Sequence, residues 1–193
     1  MAGKRRYIAG GLIGLALGVG LAWHATGRGF TDGAVRNGPW STSLSYGLAS
    51  ADALTRAAVA RRGLLALPKT ETVYWAATRD SAGALLDGNC TYRLSGKAVD
   101  SRWWSITLYD SEGYLQPNAA RLWSFSGATL SAEEAEKGWQ VTIAPTRPRS
   151  GYWLPSLAGQ PFELTLRMYN PGPDFMTSPA TAHLPMLTKE SCA

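Results

Sequence analysis

The chain opens on an apolar run and then changes period. Tyr7 to Trp23 reads YIAGGLIGLALGVGLAW, seventeen residues without a charge, the short end of what crosses a bilayer as a helix. Lys4, Arg5 and Arg6 stand directly before it, and flanking basic residues stay on the cytoplasmic side. The pattern therefore predicts a single-pass inner-membrane protein with its N-terminus inside and the remainder in the periplasm. A cleaved signal peptide ending near Gly20-Leu21-Ala22 is the other reading of this segment. The length of the run and an interfacial aromatic at Trp23 favour a retained anchor over residues 1–25. Gly10, Gly14 and Gly18 recur every fourth residue and share one helix face, the spacing that lets two membrane helices approach closely and form a homodimer.

Residues 26–45 are rich in Gly, Ser, Thr and Asn around Pro39 and read as a tether, with the folded domain over residues 46–193. Ser50 to Arg62 is the one helical stretch that follows. Ala51, Leu54, Ala58 and Val59 share a face, Ser50 is placed to cap it, and Gly63 ends it. From there the period is two. Thr72–Thr78, Cys90–Leu94, Arg102–Tyr109, Leu122–Phe125, Trp139–Ala144 and Phe162–Tyr169 read as strands. Within them Trp104, Ile106 and Leu108 fall on one face, and so do Phe162, Leu164, Leu166 and Met168. Asp110 to Gly113 reads as a hairpin turn with a return strand from Tyr114. Ser131 to Glu134 has the form of a capping box for one helical turn ending at Gly138. The segment from Pro171, with Pro173, Pro179 and Pro185, is expected to run over the surface. Short strands at close intervals define a mainly β, antiparallel sandwich or barrel with one amphipathic helix.

Charge sharpens the first of these readings. The net charge is +5, but Lys4 to Arg6 supply three of the five, so the rest of the chain carries no basic stripe and no nucleic-acid partner is expected. Arg61/Arg62 and Arg147/Arg149 read as solvated surface pairs. Eight Trp and eight Tyr reinforce the lean towards sheet. Cys90 and Cys192 are the two cysteines, and neither has metal-ligand spacing, so no metal or cofactor is expected. In an oxidising compartment they can pair and tie the C-terminus to the body of the domain; two free thiols are the alternative.

Three stretches carry a resemblance. WWSITLYDSEGYLQPNAARLWSF, WQVTIAP and YWLPSLAGQPFELTLRMYNP resemble the family catalogued as domain of unknown function 1214. Its pattern runs from an aromatic pair into a SxTLYD strand, then an Asn and Arg pair, an NWLP segment and an LRxY strand ending at Pro. The helix with Arg56, Gly63 and Leu67 and the segment ALLDGNCTYRL resemble its N-terminal part, so the likeness extends over Ala49 to Met186. It implies a jelly-roll-like β-sandwich of the kind often secreted or membrane-tethered in bacteria, in a short form without the companion domain that precedes it in many relatives. Tyr152 stands before Trp153 where the family has Asn. No settled activity comes with the resemblance.

The chemistry is sparse. A Ser-His-Asp triad has only His183 to draw on outside the leader, and no carboxylate neighbours it in sequence. Nucleophile-elbow and phosphate-loop motifs are absent. Asp110 and Glu112 are the nearest carboxylate pair, but they occupy the predicted turn, where Asp serves turn geometry; Asp87 in the DGN turn reads the same way. Asn89-Cys90-Thr91 matches a glycosylation sequon formally and is discounted beside a bacterial leader. The second face of the strands holds Trp103, Ser105, Thr107 and Tyr109 on one and Glu163, Thr165, Arg167 and Tyr169 on the other. That face either meets solvent and binds a glycan or peptide, or fills a small second core under the helix. Tyr109, Arg121, Trp153, Glu163 and Arg167 are the ligand-binding candidates. A binding domain of the envelope is the reading that follows. An envelope carbohydrate hydrolase or lyase, and a structural subunit of a membrane complex, are the alternatives.

Overall fold

The computed structural model describes residues 2–27 and 35–192. Residues 28–34 of the predicted tether lie outside the described residues. The leader forms one helix, α1 (Ala2–Gly27). Its stretch from Arg6 to Gly27 is long and apolar enough to cross a membrane. Apart from the helix's own neighbouring backbone, no atom of the described residues lies within 4 Å of a Cβ added at Gly10, Gly14 or Gly18.

The domain begins earlier than composition suggests. β1 (Val35–Asn37) and β2 (Trp40–Thr42) pair as a hairpin inside the span read as a tether, and Trp40 is fully buried with its indole N–H donated to the Pro185 carbonyl at 2.7 Å. Then come α2 (Ala53–Arg61), β3 (Thr72–Ala77), β4 (Cys90–Gly96) and β5 (Ser101–Asp110). After them lie β6 (Ser124–Ser126), α3 (Ala132–Lys137), β7 (Trp139–Ala144) and β8 (Tyr152–Pro155). β9 (Phe162–Pro171), α4 (Pro173–Thr177) and β10 (Met186–Cys192) complete the chain.

Two sheets result, one in the order β1-β2-β3-β9-β5-β6 and one in the order β10-β4-β7-β8. All these pairs are antiparallel except β7 with β8. The period-two rows of the sequence meet between the sheets. Trp75, Ile106, Leu108, Leu164 and Leu166 of the larger sheet share one buried cluster with Tyr92, Leu94, Val141, Ile143 and Leu154 of the smaller. At one end of this core Trp104 stacks on Trp139 with centroids 5.0 Å apart. Removing these side chains from water is the main stabilising term of the fold.

The segment from Pro171 does more than cross the surface. Phe175 and Leu187 are fully buried, and β10 joins the smaller sheet beside β4. That register sets Cys192 opposite Cys90, and the two form a disulfide. The hairpin expected after Asp110 is also different. Tyr109 and Leu115 make only an isolated bridge, and the strand that returns alongside β5 is β6, reached through a loop, with β9 on the other side. Asp110 Oδ1 accepts the N–H groups of Glu112 and Tyr114 at 2.9 Å each, so this carboxylate holds the turn.

α4 is fixed from the start of β5. Asp100 Oδ2 accepts the Phe175 N–H at 3.0 Å, and a Cβ on Gly172 would stand 1.7 Å from Asp100 Oδ1. Gly172→Ala is expected to displace Asp100 and lower stability by about 2 kcal/mol, read from urea unfolding. An unchanged midpoint would mean that the loop absorbs the methyl group without loss.

Candidate functional site

The outer face of the larger sheet is built by register. Tyr74 on β3, Arg167 on β9 and Ser105 on β5 form one cross-strand row; Ala76, Thr165 and Thr107 form the next; Glu163 and Tyr109 the last. Alternation makes all of them point away from the main core. This face is covered in its middle and open at one end. Ser105, Thr107, Thr165 and Glu163 are buried, and Tyr74 and Ala76 make a small second cluster with Tyr46 and Leu64. Trp103, paired edge-on with Tyr169 at 5.3 Å, stays 40% exposed. The face is thus a second core in one place and a solvent surface in another.

The cover comes from α2 and the residues that follow it. The helix starts at Asp52, whose Oδ1 accepts the Thr55 N–H at 2.8 Å, two residues after the Ser50 expected to cap it. It buries no residue, and Leu54 of its predicted apolar face is 53% exposed. Its contribution is made at its C-terminal end. Gly63 takes a φ of +65°, the left-handed conformation in which glycine stops a helix, and the chain turns down onto the sheet. Tyr74 donates its hydroxyl to the Leu65 carbonyl at 2.8 Å and pins the turn. Burial pushes the pKa of the neighbouring Tyr46 hydroxyl up to about 12, against the lowering pull of Arg62.

Beneath this turn lies a cavity of about 340 Å³ whose lining includes Arg62, Tyr109, Tyr114, Glu163, Thr165 and Arg167. Two cations enter it differently. Arg62 Nη1 stands 2.9 Å and 3.1 Å from the two carboxylate oxygens of Glu163. Glu163 is only 5% exposed; burial raises its pKa, Arg62 draws it back down, and Asp110 raises it slightly. Arg167 stands four residues along the strand from Glu163, roughly 13 Å away at strand rise. It donates to Thr107 Oγ1 at 3.1 Å and to the Tyr109 hydroxyl at 2.6 Å. Its guanidinium carbon lies 5.4 Å from the Tyr109 ring and 6.0 Å from that of Tyr74. Among the described residues it has no ion-pair partner.

Of the five candidate ligand-binding residues, Tyr109, Glu163 and Arg167 line one cavity. Arg121 and Trp153 are not part of its lining. Arg121 sits at a φ of +52° on an exposed loop, and Trp153 belongs to β8 of the other sheet, with its indole N–H on the Ala144 carbonyl at 2.9 Å. Period two brings the first three together because alternation puts them on one face. Arg62 and Tyr114 escape that pattern: one reads as a surface charge and the other as a strand residue. The only hint of them in the sequence is a double arginine immediately before a helix-ending glycine.

The cavity lining holds two carboxylates. Glu163 is engaged by Arg62, and Glu112 lies on the turn that Asp110 holds. Arg167 is different. Each hydroxyl that accepts from it keeps its own proton to donate, so a positive charge stands between two O–H donors at the wall of a cavity.

This arrangement defines a two-sheet sandwich domain with a polar cavity on the outer face of its larger sheet. The family model described as protein of unknown function DUF1214 matches residues 71–173, and the chain belongs to that family. The match takes in β3 to β9, and so Tyr109, Glu163 and Arg167, while Arg62 lies outside it. No curated protein matches the chain. Among solved structures, the chain is similar to the VPA0106 protein from Vibrio parahaemolyticus, with 23% identity and a TM-score of 0.59 over 74% of this chain and 36% of that one. It is also similar to a putative uncharacterized protein from Burkholderia cenocepacia, with 14% identity and a TM-score of 0.46 over 89% and 40% of the two chains. The first likeness is one of fold, and this chain spans little more than a third of that protein.

Proposed function

We propose that this protein is a membrane-tethered binding domain of the bacterial envelope, and that the cavity beneath the end of α2 takes the anionic end of its ligand. α1 serves as the anchor, with Lys4 to Arg6 on the cytoplasmic side and the sandwich in the periplasm. One observation carries the ligand reading: Arg167, half-buried in the cavity wall, has hydroxyl and ring partners but no carboxylate among the described residues. A cation removed from bulk water favours a counter-charge, and guanidinium favours a carboxylate or phosphate that accepts two parallel N–H bonds. The sugar or peptide suggested by the aromatic face narrows accordingly to one bearing an acidic group.

The test is thermal unfolding of the full chain in a neutral detergent, with chloride exchanged for phosphate or acetate at fixed ionic strength. The unmodified protein is expected to gain several degrees in Tm with at least one oxyanion, in a saturable manner. Arg167→Gln, which keeps hydrogen-bonding capacity without the charge, is expected to lose that gain. An equal response in both proteins, or none in either, removes the cavity as an anion site.

A further inference from the structure

The cavity does not end under α2. A second hollow of about 500 Å³ shares Arg61, Arg62, Glu112 and Tyr114 with it and reaches Trp23, Thr26 and Gly27 at the end of α1. The two helices are fastened there. The Arg61 guanidinium lies 3.8 Å over the Trp23 ring and donates to the Trp23 carbonyl and to Thr26 Oγ1, the latter at 3.1 Å. The passage from Arg167 therefore leads along a row of cations to the point where the apolar stretch of α1 stops. In a helix that spans the bilayer, this point lies among lipid headgroups.

The rim has the matching character. Trp23, Tyr114, Leu115 and Leu65 are all exposed. Each either lines one of the two hollows or adjoins a lining residue in sequence. An exposed set of apolar and amphipathic side chains around a basic entrance is unusual for a solvent-facing surface and usual at a membrane interface, where Trp and Tyr rings sit at headgroup depth. Arg61, Arg62 and Arg167 outnumber Glu112 and Glu163 in the linings, and Glu163 is already neutralised by Arg62.

From this continuity we infer that the anion taken by the cavity is the phosphate of an anionic phospholipid, drawn from the leaflet in which α1 ends, with its acyl chains left along Trp23 and Tyr114. Arg167 and the Tyr109 hydroxyl hold the phosphate, and Arg61 and Arg62 line its path. The inference rests on the anion-binding reading above and specifies the source of the anion. Thr107 acts as a positioning residue that orients Arg167.

The experiment titrates the full chain in detergent with three probes below their micelle concentrations: dihexanoyl phosphatidylglycerol, glycerol 3-phosphate and the uncharged dihexanoylglycerol. The lipid is expected to bind at least tenfold more tightly than glycerol 3-phosphate, and dihexanoylglycerol is expected not to compete. Arg167→Gln should weaken the lipid at least tenfold. Trp23→Ala, at the exposed end of α1 and outside the lining of the anion cavity, should weaken the lipid and leave glycerol 3-phosphate unchanged. Equal affinity for the lipid and glycerol 3-phosphate, or an unchanged lipid response in Trp23→Ala, would overturn the lipid source while leaving the anion site in place. Competition by the uncharged lipid would overturn the role of the phosphate. No saturable response to either phosphate probe would remove both the lipid assignment and the anion site on which it rests.

Discussion

Arg62→Ala is expected to destabilise the domain by about 3 kcal/mol at neutral pH, because it leaves the Glu163 carboxylate buried without its counter-charge. At 2–4 °C per kcal/mol for a domain of this size, that is a fall of roughly 10 °C in Tm. The pH dependence gives the effect its signature. Glu163 is raised above its ordinary 4.5 by burial, and Arg62 is the main influence that lowers it again. Below pH 4.5 the carboxyl is protonated both folded and unfolded, and its burial carries no charge penalty. As pH rises from 4.5 through the raised folded pKa, the folded state binds the proton more tightly than the unfolded chain, so stability falls across that window. Without Arg62 the folded pKa moves higher still and the loss deepens. The variant should therefore lie close to the unmodified protein near pH 4.5 and separate from it as pH approaches 8. Adding Glu163→Gln should return most of the lost stability at pH 8 and flatten the dependence. A deficit that is the same at both pH values would assign the effect of Arg62 to packing of its stem and not to charge.

The same pair marks how far the sequence can be read. β5 and β9 are legible because each alternates strictly over many residues, with Trp104, Ile106 and Leu108 set against Leu164, Leu166 and Met168. The alternation by itself also assigns Tyr109, Glu163 and Arg167 to one face. It has no way to find Arg62, which reaches Glu163 from 101 residues away. Helical spacing in α2 is real, but the face it marks packs on little, and the useful contact comes from the arginine at the helix end. Arg121 and Trp153 join the candidates in the sequence on the expectation that they lie on loops near that face. Neighbours in a motif can lie on opposite sheets, as Trp153 does.

β1, β2 and β10 are illegible as strands for a related reason. Three-residue strands such as Val35–Asn37 and Trp40–Thr42 are too short to display a period. β10 reads MLTKESC and buries only Leu187 deeply, so its sequence has the polarity of a surface segment. What makes it a strand is pairing with β4, and that pairing is supported by a covalent bond no local pattern announces. Cys90 and Cys192 are recognisable as possible partners only through the compartment that the leader implies. On the proposed periplasmic location the leader and the last strand are connected: a domain exported by the leader would meet an oxidising environment, in which the disulfide that closes the smaller sheet at its edge can form.

Replacing both cysteines by Ala is accordingly expected to cost about 3 kcal/mol, comparable to the loss of Arg62 and different in kind. The bond closes a loop of 102 residues in sequence separation, and a cross-link of that span restricts the unfolded chain by an amount worth roughly 4–5 kcal/mol in the chain-entropy model, of which native disulfides usually deliver about 2–5. Tm should fall by roughly 10 °C, with no pH dependence of the kind that marks Arg62→Ala. The loss should also be local before it is global. β10 is an edge strand joined to the sheet only through β4, so the amides from Met186 to Cys192 should exchange with deuterium faster in the variant at temperatures where β5 and β9 remain protected. The same bond reports on location. Chain taken from cells and alkylated before reduction should show neither cysteine modified if the domain has been exported, and both modified if it has stayed in the cytoplasm. Exchange in β10 that is unchanged by removing the cysteines would mean that Leu187 and the backbone ladder hold the edge alone, and that the disulfide acts only on the unfolded chain.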